Sequence, residues 1–551
     1  MTPLARIVSC LGVAFIASHA FADAVVTVCG KDVVPGDPRM DLSEALRVGG
    51  RITFTCSGII EFTRQHGFVG DTQIDGGGGI TLDGKGHRMF GLGSSGAHVT
   101  FSRIRIQNAG TVAGSNPGSV IAGEGFVSFR DGTSIRRSDR PVWLLAGDLD
   151  VRDAWIAENT GPVLIVSEGM LTISDRSRFT DNKGVLLATG PLTKVSIKDT
   201  QFFRNGHSDF GGTAAGNCEV SITGSWFSAN VDAADGGAFR SRCRTSVEDT
   251  QFDGNRSAGD GGAIFLTRGV GATMRKVQFR GNQAGANGGA IAAVWIQPQT
   301  GSVHIQHGRF ERNTAVRAGG AVTVGEASGV EIGGGAFIAN SAGTGGGAVY
   351  VRQSRLSATG SLFRKNHAQS GGAIEALCMP AMGRVANTII AENTADTTGG
   401  GYFGGNVQFV NTTFIGNGST SVQQGAYCGA PAKIEFLNTI LQGGMTGACA
   451  GADAQRTFAD LGNNVQFPFA TCGGTIRSAY PLLGAFFAPV RPWSPAGSAG
   501  NNVQCESAPI NGRDVFGTHR PQGEQCSIGA VEGDLTTLFI RWWKRHHDQS
   551  R

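Results

Sequence analysis

Residues 252–265 read FDGNRSAGDGGAIF, and near copies of that phrase return down the middle of the chain. Its Asn recurs as Asn159, Asn182, Asn205, Asn230, Asn255, Asn282, Asn313, Asn340, Asn366, Asn393 and Asn417, with gaps of 23 to 31 residues. A Gly-Gly pair follows, beginning at Gly211, Gly236, Gly261, Gly288, Gly319, Gly346, Gly371 and Gly399, usually six residues after its Asn. A fixed offset inside a variable period means one rigid unit per repeat, with insertions confined to a loop. The longest period lies between Asn282 and Asn313.

Stretches such as Val195-Ser196-Ile197, Gln201-Phe202-Phe203 and Ala263-Ile264-Phe265-Leu266 have strand length and are separated by Gly, Asn or Asp. No repeat holds an amphipathic run long enough for a helical repeat. The unit is therefore one coil of an all-β solenoid, a parallel β-helix, expected to be right-handed as parallel crossovers are. In each coil an aromatic residue points inward, giving a column of Phe179, Phe202, Phe252, Phe279, Phe310, Phe337, Phe363 and Phe414. The Asn column can pair with itself as an amide ladder, since strands stack about 4.8 Å apart. The Gly-Gly pair serves either a positive-φ turn or a close backbone approach.

The first residues, MTPLARIVSCLGVAFIASHAFADA, follow signal-peptide grammar, with a basic Arg6, an apolar stretch and Ala20-Phe21-Ala22 before the expected cleavage point. Removing residues 1–22 leaves ten cysteines, an even number that favours disulfides in an exported chain. Cys218 and Cys243 each lie thirteen residues after a ladder Asn, so they occupy one position in neighbouring coils and are expected to bond. Nearness in sequence adds Cys29–Cys56, Cys449–Cys472 and Cys505–Cys526, leaving Cys378–Cys428, which is out of phase. A net charge of +4 without a basic block before the last dozen residues argues against a nucleic-acid partner.

Residues 23–150 read as an N-terminal cap and first irregular coils, with Asp41–Val48 as a short helix over the open end. Residues 151–440 are the regular repeats, and 441–532 a disulfide-containing C-terminal cap region. Residues 533–551 read as a basic amphipathic tail, either a docked helix or a disordered tag, with a peripheral membrane contact as the alternative.

Standard catalytic and nucleotide-binding motifs are absent from the sequence. The most suggestive chemistry is a column six or seven residues before each ladder Asn: Asp153, Asp175, Asp199, Gly224, Asp249, Lys276, His307, Gly334, Gly360, Asn387 and Asn411. Stacked carboxylates at Asp153, Asp175 and Asp199 could hold calcium, the one cofactor the sequence brings to mind. With Asp199 and Asp249 beside Arg275 or Lys276 as base, that would suit proton abstraction from an acidic polysaccharide. The same mixture of Asp, Asn and Gly is what a left-handed turn position selects. His304 and His307 read as solvated side chains.

The paired motifs, FDGN then GGAI at 252–264, FRGN then GGAI at 279–291 and FERN then GGAV at 310–322, resemble the repeats of chlamydial-type polymorphic outer membrane proteins. That resemblance implies a right-handed parallel β-helix at the cell surface, linked to adhesion. Residues 514–532, DVFGTHRPQGEQCSIGAVE, resemble the ending of the choice-of-anchor Q domain, with Ser527 where Asp is usual. LGNN at 461–464, YPLLG at 480–484 and SPAG at 494–497 stand where that family has its preceding blocks.

The expectation is thus an exported protein, extracellular, on the outer surface of a bacterium or in its periplasm, acting as a scaffold for an extracellular glycan or cell-surface receptor. The alternative is a lyase or hydrolase of acidic polysaccharide on the same fold, and a third reading is a purely structural envelope protein.

Overall fold

The computed structural model describes residues 23–532, apart from 37–38, 94–95, 111–117, 212–216, 268–270, 295–300, 327–328, 419, 425–431, 445, 452–455 and 491–492. The expected signal peptide, the basic tail and Cys428, and with it the pair Cys378–Cys428, lie outside the described residues.

Short strands stack in parallel register into a β-solenoid with three long faces. The first face is an 18-stranded sheet running from Ala24–Val26 to Arg456–Asp460. Strands such as Lys194–Lys198 bury alternate residues, Val195 and Ile197, as a one-sided strand must. After a tight turn, three-residue strands such as Gln201–Phe203 build the second face, where only the middle residue points inward. The third face has 16 strands, among them Leu187–Thr189 and Ile264–Thr267. A seven-stranded ribbon from Val231–Asp232 to Thr394–Thr398 is inserted between the second and third faces.

The inward residues form one continuous core from Ala24 to Ile476. Phe rings stack through it from Phe179 to Phe363, with centroids 4.4–5.1 Å apart. Phe227, absent from the expected column, supplies the rung between Phe202 and Phe252. At the lower end Ile390 occupies the register position between Phe363 and Phe414. Phe414 therefore does not continue the stack; it meets Phe409 edge-on.

The Asn ladder is complete over its eleven rungs. At Asn282, the backbone N–H and Nδ2 both donate to Asn313 Oδ1 (3.0 and 2.9 Å), and Nδ2 also donates to Phe252 O (3.0 Å). The same pattern runs from Asn159, whose Oδ1 accepts from Ser138 N–H, to Asn417. A buried amide is costly unless satisfied, and repetition satisfies each one. In the seven pairs from Gly236–Gly237 to Gly399–Gly400 the two glycines divide the labour left open by the sequence. The first holds a positive φ, as at Gly319 (67°). The second admits no side chain, since a Cβ on Gly320 would stand 2.1 Å from Gly347 O.

Four of the expected disulfides are present: Cys29–Cys56, Cys218–Cys243, Cys449–Cys472 and Cys505–Cys526. At the N-terminal end the helix Leu42–Val48, N-capped by Asp41 Oδ1 accepting Glu44 N–H at 2.9 Å, buries Leu42, Ala45 and Leu46 in the core. At the far end the coils run on past Leu441 to Arg477–Ser478. There Gln466, fully buried, donates to Gly473 O and Ile476 O and accepts from Cys472 N–H, tying a closing loop across the core.

The C-terminal region then turns back along the outside of the second face. Ala488, Ala530 and Val531 pack on Ile389 and Ala391, while Ala496 and Ile528 pack on Ile440 and Val465. The DVFGTHRPQGEQCSIGAVE stretch forms the latch. Fully buried Arg520 donates to Asn387 Oδ1 (3.0 Å) and Gly529 O (3.1 Å), and Gly529 N–H donates to Asn438 O (2.8 Å). Asp514 Oδ2 accepts Glu532 N–H (3.0 Å), and Glu532 Oε2 accepts Ser527 N–H (2.6 Å). Burial pushes the Asp514 carboxyl up despite the neighbouring Arg520 charge; Arg520 is itself pulled down by burial, from a value so high that it stays a cation.

Candidate functional site

Every residue of the candidate calcium column occupies the turn between the first and second faces. All eleven have positive φ, from 44° at Asp153 through 56° at Asp175, 50° at Asp199 and 46° at Asp249 to 64° at Gly334. The column is thus a left-handed turn position, which Asp, Asn and Gly tolerate best. Lys276 Nζ stands 3.8 Å from Asp249 Oδ1 and Arg275 Nε 3.8 Å from Glu248 Oε1, pairs that are at least 39% exposed on every side chain. His304 pairs with Glu331 at 3.0 Å on the surface. Among the described residues no group of three or more His, Cys, Asp or Glu side chains is placed to hold a metal ion.

In several coils the residue after the turn makes an inner polar column that sequence reading missed, best formed at Thr200, Ser225 and Thr250. Thr200 N–H donates to Ser225 Oγ and Ser225 N–H to Thr250 Oγ1, while the hydroxyls return to carbonyls two residues back. The repeated D-T-Q-F at 199–202 and 249–252 carries the signal for it.

The chemistry that faces solvent in an ordered way is the outward row of the second face. Register stacks Trp155, Arg178, Gln201, Trp226, Gln251, Gln278 and Arg309, one residue per coil. All are exposed, Trp155 at 41% and Trp226 at 42%. The Arg136 guanidinium lies 4.2 Å over the Trp155 ring, whose Nε1 donates to Thr180 Oγ1 at 2.9 Å, so that ring is held in place. The row presents flat apolar rings with amides between them, each amide offering a donor and an acceptor.

Beside this row a notch opens at one corner, and the repeat length explains it. Above Asn230 the segments joining ladder to third face are short, residues 183–186 and 206–207; below it they are 231–238 and 256–263, long enough to add the ribbon. The ribbon begins as a ledge, and the shorter coils above leave a cavity of about 470 Å³ lined by Lys183, Gly184, Arg204, Gly206, Ala229 and Val231, with two ladder amides behind. The back wall is bare main chain, because a Cβ on Gly206 would lie 1.6 Å from Gly184 O. Arg204 lies 4.4 Å over the Phe203 ring and is paired with Asp181 through both carboxylate oxygens (2.7 and 2.9 Å). That pairing holds the Asp181 carboxyl below its ordinary value. Lys183 is exposed and has no carboxylate within 4.0 Å among the described residues.

The lining residues Gly206 and Val231 are followed in sequence by His207 and Asp232, which pair at 3.1 Å. Burial raises the Asp232 carboxyl, but the bond and charge of His207 outweigh it and bring it below the usual range. His207 Nε2 and Asp232 Oδ2 are buried without a hydrogen-bond partner.

A parallel β-helix with a laddered core, an exposed aromatic and amide row and a corner notch defines a scaffold class more than a chemistry. Within it, residues 249–267 and 276–294 match the Chlamydia polymorphic membrane protein (Chlamydia_PMP) repeat. Those two stretches each run from the turn column through the Phe and Asn columns to the third face. No curated protein matches the chain. No helix among the described residues is long and apolar enough to cross a membrane.

Proposed function

We propose that this protein is an exported, surface-exposed adhesin-like scaffold that binds extracellular glycans through the outward row of its second face. The observation that carries the reading is the register of Trp155, Arg178, Gln201, Trp226, Gln251 and Gln278, one per coil on a rigid sheet. Sugar rings have apolar faces that rest on indoles and hydroxyls that bond to amides, and a row spaced at about 4.8 Å matches a linear polymer laid along the axis. The polymorphic membrane protein repeat and the disulfides support an exported, surface location. The C-terminal latch is, on this reading, a choice-of-anchor Q-type region whose motif residues serve docking to the coils. The test is a glycan array with the whole chain, followed by Trp155→Ala and Trp226→Ala. Loss of about tenfold or more in affinity for the bound glycan is expected from the pair; binding to no glycan, or unchanged binding by the double variant, would defeat the proposal.

A further inference from the structure

The notch is lined by two cations that differ in how they are paired. Of its two cations, Arg204 is held by Asp181 and laid on Phe203, while Lys183 stands exposed at the rim without a carboxylate within 4.0 Å among the described residues. A cavity of about 470 Å³ lies in the size range of small-ligand sites, about 300–1,000 Å³.

We infer that the notch is a pocket for one anionic sugar residue, its carboxylate or sulfate paired with Lys183, carried as a branch or end residue that turns off at Trp226 from a glycan laid along the row. The inference rests on the glycan-binding reading and adds the class of sugar. Its geometry follows from one strand. Trp226 points outward at the start of Trp226–Ser228, and Ala229, the next residue, lines the notch. That is a span of about 10 Å at roughly 3.3 Å per residue, short enough for a disaccharide unit to bridge. Phe203 with Arg204 stacked on it flanks the path, an aromatic surface followed by positive charge. A neutral glycan would use the rings and amides of the row; an anionic one gains Lys183 as well. Arg204, already compensated by Asp181, shapes the wall without competing for the anion.

The experiment uses the whole chain and three probes measured by calorimetry at low and moderate salt: an oligogalacturonate, a sulfated glycosaminoglycan fragment, and the carboxyl-reduced neutral form of the first. The expected result is that an anionic probe binds about tenfold or more tightly than the neutral one, with affinity falling as salt rises. Lys183→Glu and Val231→Trp, the latter at a position 54% exposed and so able to plug the notch without touching the core, should each remove that preference. Lys183→Arg should keep most of it. Which anionic probe wins identifies carboxylate or sulfate as the recognised group. If the chain binds the neutral and anionic probes equally and Lys183→Glu changes nothing, while Trp226→Ala weakens all three, the pocket is refuted and the row stands. If no probe and no arrayed glycan binds the wild-type chain, both fall.

Discussion

One row of residues on the second face tells two stories. In the upper coils it reads Trp155, Arg178, Gln201, Trp226, Gln251, Gln278 and Arg309, and faces water. After Ala336 the same position becomes Leu362, Ile389, Thr413, Ile440 and Val465, and is covered by the C-terminal region. The backbone is the same in both halves, so the difference lies in the partner: protein packing selects aliphatic side chains, whereas the open half keeps amides, guanidinium groups and indoles. The lower half is what this face looks like when its occupant is protein. The upper half is what it looks like when it stays open to water.

The largest test of that contrast is Arg520→Met, which leaves Asn387 Oδ1, Gly529 O and the buried Asp514 without their cation. A loss of about 3–5 kcal/mol is expected in urea unfolding. New protease cleavage within 479–532 should accompany it while the upper coils stay protected. Ile389→Asp, at a position 1% exposed under Val531, should cost about 3 kcal/mol or more by burying an unpaired charge.

The lower coils also hold Glu375, 5% exposed, whose Oε2 accepts from Ser370 Oγ at 2.5 Å. Burial pushes its carboxyl up to about 7. A folded pKa above the unfolded one stabilises the fold fully below the unfolded value, and that contribution is lost as pH rises through about 7. Glu375→Gln should remove roughly 3 kcal/mol of pH dependence between pH 5 and 8, read by thermal melts across that window. A flat profile in the wild type would contradict this.

The ladder belongs to both halves, so Asn282→Ala and Asn366→Ala should cost about the same, roughly 1–3 kcal/mol each, for the donors and acceptors they orphan. Unequal costs would mean that the C-terminal latch stiffens the coils beneath it. Smallest of all is Gln278→Asp, the upper counterpart of Ile389→Asp, which should stay within about 0.5 kcal/mol. A large effect there would mean that the open half is packed after all.

Much of the core was legible because it repeats in sequence. Phe252, Asn255 and Gly262 each meet their own copy in the next coil, so the period gives the contact. Cys218–Cys243 followed from the same register. Phe227 was overlooked although FSAN carries it at the regular place, and Ile390 broke the Phe column because an aliphatic residue fills the same inward slot. The apolar row from Leu362 to Val465 was present too, but β-branched and aliphatic residues on an outward position read as strand propensity until something is seen to cover them. The notch arises from a difference between neighbouring coils, and a repeat read for its sameness hides it.

The sequence by itself determined the coil: its strand lengths, its inward Phe, its Asn ladder, its glycine pair and the register that stacks them, since each interaction joins a residue to its own equivalent one period on. Only the tertiary structure decided which outward surface is used up and which is left. That choice depends on Arg520 reaching Asn387 across 133 residues, and on a ledge that exists only where a short coil meets a longer one.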